Sequence, residues 1–176
     1  QDIAYARSMG YVIKLLAIAR RGEGNQIEAR VHPALLRKSH PLANVNGSFN
    51  AIFIRGVGCD EIMLYGRGAG ATPTGVAVAG DVLDCARNKL RGAAGRVLCT
   101  CGAQAEVLPM DEVETKAYIR MKVKDRPGVL GSIATILGTE GVSLSSVHQE
   151  ATDGDAAEIV WVTHRNKEKL LNSALG

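Results

Sequence analysis

Apolar residues change period several times along the chain, and each change marks a new element. Residues 2–9 set Ile3, Ala4 and Ala6 among polar neighbours and read as a short helix closed by Gly10. Residues 11–20 are apolar on both faces apart from Lys14, the pattern of a buried strand. Gly22-Glu23-Gly24-Asn25 is a turn. Beyond it Ile27, Ala29 and Val31 alternate with Glu28, Arg30 and His32, which predicts a half-buried strand paired back as a hairpin. Pro33 and Pro41 bracket an irregular stretch. A second hairpin is expected from residues 50–55 and 61–65 around Gly56-Val57-Gly58.

The period then lengthens. After Gly66-Arg67-Gly68-Ala69-Gly70, Thr72 is placed to cap a helix and Pro73 to sit at its first position. Val76, Ala79, Leu83, Ala86 and Leu90 form one apolar stripe, read as a core-packing face. Arg87, Lys89 and Arg91 oppose the dipole at the end of this helix, and Gly92 stops it. Residues 93–116 have a weaker pattern, with Gly95, Gly102 and Pro109, and Gly92-Ala93-Ala94-Gly95 as a hinge.

A strand over residues 118–123 runs into Asp125-Arg126-Pro127-Gly128, with Pro127 expected in the first helical turn. Leu130, Ile133, Ala134 and Leu137 give that helix its buried face, ended by Gly138 and Gly141. Residues 143–150 and 158–163 are strands around an Asp153-Gly154 turn, and Asn166 is expected to cap a last helix bearing Leu170, Leu171 and Leu175. The order β-α-β-β-α is one strand short of the split βαβ repeat. The sheet edge this leaves open predicts self-association, as a dimer or tetramer. The fold class is α+β, divided as residues 1–92, a linker over 93–116, and 117–176.

Composition narrows the function. Among 176 residues, aromatic content is only 4%, so the core is built from Val, Ile, Leu and Ala. A net charge of +3, spread along the chain apart from Arg20-Arg21 and Arg37-Lys38, is solvated surface charge rather than a nucleic-acid face. No apolar run is long enough to span a bilayer, no secretory signal is read, and no membrane partner is expected. Gln1, where a Met would start a gene product, suggests a fragment or a trimmed N-terminus. Cys59, Cys85, Cys99 and Cys101 are read as free thiols of a cytoplasmic protein. His32, His40, His148 and His164 have no metal-ligand spacing.

Two places carry candidate chemistry. Gly68-Ala69-Gly70 sets three small residues before a helix N-terminus, where backbone can approach an anionic ligand, and Thr74 adds a hydroxyl. Against this stands a turn that needs glycine for geometry alone. In the second, Asp125 offers a carboxylate for an ammonium group, while the backbone of Gly128, Val129 and Leu130 offers N–H donors for a carboxylate. The plainer alternative has Asp125 capping the helix and Gly128 allowing the turn. Asn44, Asn46 and Asn50 with Gly47 are turn formers, His148 is a strand residue, and Trp161 is a core or interface anchor.

Two resemblances follow from these motifs. The Asp125–Leu130 loop on a module of some 60 residues resembles the ligand-binding loop of an ACT domain, the amino-acid sensor of many biosynthetic enzymes. Residues 2–92 resemble the C-terminal part of the catalytic region of homoserine dehydrogenase. The matching text is Asp2-Ile3-Ala4-Tyr5-Ala6, Ile13-Lys14-Leu15, Val31-His32-Pro33, His40-Pro41-Leu42-Ala43, Val45-Asn46-Gly47, Asn50-Ala51 and Tyr65-Gly66-Arg67-Gly68-Ala69-Gly70. The resemblance implies a mixed sheet with helices, then a ferredoxin-like βαββαβ ACT domain lacking its last strand.

It also implies NAD(P)H-dependent reduction of L-aspartate 4-semialdehyde to L-homoserine, toward threonine, methionine and isoleucine, with L-threonine as feedback effector. Gly70, with Ala69, Gly68 and Thr74, would lie beside NADP or NAD. Ser143, at the start of the next strand in related domains, would join the effector loop. No strand-led Gly-x-Gly-x-x-Gly is present and the family's general-acid lysine lies before Gln1, so no catalytic residue is assigned and this chain alone is expected to be inactive. Lys14 is read as structural. The alternative is a non-catalytic amino-acid-binding regulator.

Overall fold

A computed structural model describes residues 1–93, 102, 104–151 and 155–176. The first helix, α1 (Asp2–Ser8), is ended by Gly10 at φ +81°, which only glycine adopts without strain. β1 (Tyr11–Arg21) and β2 (Gln26–Arg37) are hydrogen-bonded neighbours joined by a turn in which Gly22 N–H donates to Gln26 O at 2.8 Å.

Burial in these strands differs from the pattern in two ways. β1 is half exposed, with Leu15 72% accessible, rather than buried on both faces. In β2 the covered set is the polar one: Glu28 and Arg30 pair with each other under cover while Ala29 and Val31 face outward. Alternation distinguishes two faces of a strand, but what packs on them decides which is inside. β2 also continues through Pro33, which was expected to start an irregular stretch. Among the described residues only Gln26 and Ile27 of β2 have a strand on the far side from β1, so Pro33 sits where an edge tolerates a missing N–H.

After a 3₁₀ turn at Pro41–Asn44, capped by His40 Nδ1, come β3 (Phe49–Gly56) and β4 (Asp60–Arg67). They form an antiparallel hairpin in register from Phe49↔Arg67 to Gly56↔Asp60. α2 (Ala71–Leu90) follows. It begins two residues before the expected start, with Gly70 rather than Thr72 at the cap and Pro73 inside the first turn, where its missing N–H is one of the unbonded ones. Its apolar stripe is not core: no residue of α2 is buried.

The expected linker carries structure in its later part. β5 (Glu106–Val107) runs parallel to β2, and β6 (Glu114–Thr115) pairs with a strand near the C-terminus. The expected hinge at residues 92–95 and the thiols Cys99 and Cys101 lie partly or wholly outside the described residues, as does the Asp153-Gly154 turn.

β7 (Tyr118–Lys124), α3 (Val129–Thr139), β8 (Leu144–Ala151) and β9 (Ala156–Thr163) then form an antiparallel sheet in the order β7-β9-β8, followed by β10 (Asn166–Lys167) and α4 (Glu168–Leu175). Alternate strand residues Ile119, Met121, Val123, Ile159 and Trp161 pack with Leu137 of α3 and Leu171 of α4. This is the core, and Trp161 is fully buried in it. Asn166 does not cap α4. Its buried side chain accepts from Ser143 N–H at 3.3 Å and donates to His164 O at 2.8 Å, pinning two loops. Of the leucines of α4, Leu171 is buried and Leu175 is exposed.

The chain is α+β, with two compact units that interleave in sequence. One comprises Gln1–Tyr5, Leu16–His32 and Ala105–Gly176, the other Ala6–Leu15 and Pro33–Gln104. Among the described residues no helix is long and apolar enough to cross a membrane.

Candidate functional site

The loop after β7 is built by a change of backbone region. Lys124 ends the strand, Asp125 N–H donates to Asp155 O at 2.8 Å, and Gly128 turns left-handed at φ +90° before α3 begins. A Cβ on Gly128 would meet nothing within 4 Å, so glycine is required there by its φ, not by space. Pro127 lies before the helix rather than in its first turn. No side chain caps α3, and Asp125 therefore does not take the capping role weighed for it.

The result is a cavity of about 420 Å³ whose wall includes Asp125, Gly128, Val129 and Leu130. The structure brings these four sequence-selected residues together. It does not bring Ser143, which precedes β8 at the opposite end of the sheet. Gln149, near the other end of β8, lines the cavity instead, with its cross-strand partner Ile159 of β9. Antiparallel geometry explains the exchange, because the loop after β7 meets the end of β8 and not its start. Lys124 and Arg126 add two cations to the same wall. Leu130, expected to be core, is exposed at the cavity. An uncapped helix start, one carboxylate, two cations and an amide can hold a small zwitterion by both ends.

The second candidate is the turn from β4 to α2. Gly68 N–H donates to Ser48 O at 3.0 Å, and a Cβ on Gly68 would lie 1.5 Å from Asn50 Nδ2. Gly70 has φ +133°, ψ +142°, a region essentially closed to other residues. Gly70 is thus demanded by the turn's own backbone, and Gly68 by the Asn50 side chain of β3 beside it. The N-terminus of α2 has no side-chain cap, Ala69 and Thr74 are exposed, and Thr74 N–H donates to Gly70 O at 3.1 Å. Arg67 has partners on β3 and the turn before it: its guanidinium lies 5.0 Å over the Phe49 ring, itself stacked on Tyr65 at 4.8 Å, and donates to Ser48 Oγ at 3.4 Å.

Lys14 is occupied structurally. Its Nζ donates to Val45 O and, at 2.9 Å, to Asn46 Oδ1, while Asn46 Nδ2 donates to Asn44 O at 3.1 Å. Asn44 and Asn46 thus hold their turn as the sequence implied, whereas Asn50, read with them as a turn former, lies in β3 opposite Gly66.

Elsewhere Glu112 accepts from Lys167 and Lys169, each at 2.7 Å, and those ammonium groups pull its carboxyl down to about 2. Arg120 holds the Asp2 carboxyl below its ordinary value, and burial, then the Asp2 hydrogen bond, pushes the Tyr118 phenol up to about 12.

Comparison with known proteins bears on both places. Residues 1–83 match the model of the homoserine dehydrogenase family and residues 117–175 that of the ACT domain. The homoserine dehydrogenase of Neisseria gonorrhoeae is 44% identical over 181 residues, covering 99% of this chain and 41% of that protein. That of Corynebacterium glutamicum is 45% identical over 175 residues, covering 97% and 39%. The crystal structure of a homoserine dehydrogenase from Thiobacillus denitrificans superposes with a TM-score of 0.88 at 38% identity, over 98% of this chain and 40% of that one. The chain spans about two fifths of the length of these relatives.

Proposed function

Because the chain belongs to the homoserine dehydrogenase family and carries an ACT domain, we infer that a protein of its relatives' length containing it reduces L-aspartate 4-semialdehyde to L-homoserine with NADPH or NADH. The observation that carries the reading is 44% identity maintained across 99% of the chain, through both matched regions. The match over residues 1–83 counts against a free-standing amino-acid-binding regulator.

The β4–α2 turn fits a dinucleotide. Residues 68–72 are exposed, and the uncapped start of α2 presents N–H groups to an anion. When bound, a reduced nicotinamide supplies the hydride that the aldehyde carbon receives. Gly68, Ala69 and Gly70 would let the backbone approach the nucleotide closely, and Thr74 would offer its hydroxyl from the first turn. Lys14 would act at a distance, keeping the 44–46 turn in place.

The loop cavity would take an amino-acid effector, with Asp125 on its ammonium and the N–H groups of Gly128 to Leu130 on its carboxylate, that of Val129 turning from the Arg126 carbonyl to which it donates at 3.4 Å. L-threonine is the effector we favour, because an end product that controls the branch enzyme closes a feedback loop. The protein is expected to work in the cytoplasm as a homo-oligomer, the open edge of the β7-β9-β8 sheet being one surface for pairing.

The test is oxidation of NADPH and NADH with aspartate semialdehyde by the protein of relatives' length, with and without L-threonine. Turnover suppressed by threonine supports both halves. Turnover indifferent to threonine leaves the dehydrogenase and removes this effector; no turnover removes the dehydrogenase reading.

A further inference from the structure

The sheet face opposite the α3 and α4 core is covered by a polar network. Ile119, Met121 and Val123 point into the core, so Tyr118, Arg120 and Lys122 of β7 take the other face. Glu158 of β9 lies opposite Lys122, and its side chain is only 6% exposed. Arg120 Nε donates to Asp2 Oδ1 at 2.7 Å, and its Nη1 donates to Glu158 Oε1 at 3.2 Å. The Tyr118 hydroxyl donates to the same Asp2 oxygen at 2.9 Å, and the Tyr5 hydroxyl to Glu158 Oε2 at 3.0 Å. One guanidinium is shared by two carboxylates, and each carboxylate also takes a phenol. The first turn of α1 is held to the sheet by this network.

The same two strands carry the effector cavity. β7 leads from Arg120 into Asp125 within five residues, and Ile159, beside Glu158 in β9, lines the cavity. A ligand that draws in the loop therefore acts on the strands that grip α1, and α1 continues in the chain through Gly10 into β1.

We propose that the Asp2–Arg120–Glu158 network, with Tyr5 and Tyr118, is the element through which an amino acid at the 125–130 loop regulates the dehydrogenase; this rests on the reading of that loop given above. The network has two arrangements, one with Arg120 bridging both carboxylates and one with the first turn of α1 released. The ligand selects between them only as far as its contacts to the loop differ in the two. Coupling is reciprocal, so breaking the network disconnects the two sites while leaving each of them intact.

The experiment uses the protein of relatives' length, with L-threonine as probe, measuring binding by calorimetry and inhibition by turnover in the same preparation. Arg120→Gln should keep basal turnover and bind threonine, yet need at least about fivefold more threonine relative to its own Kd for half-inhibition. Asp2→Asn keeps side-chain volume, removes the bridging charge and should move the same ratio. It serves as the second variant if Arg120→Gln does not fold. Both variants inhibited as the wild type is, at unchanged ratio, would overturn the proposal while leaving the loop reading in place. A wild-type protein that binds no threonine would overturn the loop reading and the proposal together.

Discussion

At the scale of single residues, the glycines of the β4–α2 turn show how one sequence feature carries two demands. Gly-Ala-Gly before a helix signals close ligand approach, yet the local structure already asks for both glycines without a ligand. Gly70 needs its φ of +133°, and Gly68 leaves no room for a Cβ beside Asn50. Gly70→Ala should therefore cost about 1–3 kcal/mol in urea unfolding of the chain, with no ligand present. Gly68→Ala should cost stability too, and Asn50→Ala in the same chain should recover part of it. Purely additive losses would show that the crowding is relieved elsewhere. Among the polar residues lining the cavity that the sequence reading did not assign to it, Gln149 and Arg126 give no local signal of their own. Arg126 reads as a surface charge beside Pro127, and Gln149 is one polar residue in a strand.

Elements divide into those whose pattern matched their packing and those whose pattern did not. In α3 the apolar positions Ile133, Ala134 and Leu137 all meet the core, though Leu130 turns to the cavity. In α2 an equally regular stripe meets nothing that buries it, and Val76, Val82, Leu83 and Leu90 remain more than half exposed. Periodicity reports that a helix is amphipathic; it does not report whether the partner lies in the same stretch of chain. Leu83→Glu should accordingly change the stability of this chain by no more than about 0.5 kcal/mol, whereas Leu137→Ala should cost about 2–5 kcal/mol. A large loss for Leu83→Glu by denaturant titration would contradict the exposed placement of α2. The inverted faces of β2 have the same origin. Its charged set is covered through the Glu28–Arg30 pair, within electrostatic range of Arg165 and Glu168.

For the whole molecule, the two units interleave, so residues adjacent in sequence fall in different units at positions 5–6, 15–16, 32–33 and 104–105. Charge holds distant segments of the first unit, through the bridge of Glu112 to Lys167 and Lys169 and through the α1 network. With the Glu112 carboxyl pulled down to about 2 in the folded protein, its contribution is complete above the ordinary value of 4.5 and fades as pH falls toward 2. Thermal unfolding followed from pH 6 downward should thus show a steeper acid loss in the wild type than in Glu112→Gln, with salt narrowing the difference. The sequence by itself determined the two hairpins, the helix after Gly70, the β-α-β-β-α module and the loop at Asp125, because turn residues and periodicity act locally, while the short strands β5, β6 and β10 carry no such local signal. Tertiary structure alone decided which face of β2 is covered, that α2 stays exposed, that Gln149 rather than Ser143 meets the loop, and that Asp2 and Tyr5 lie on the last module's sheet. Each of these depends on contacts between residues distant in the chain, and no local preference encodes where such partners will stand.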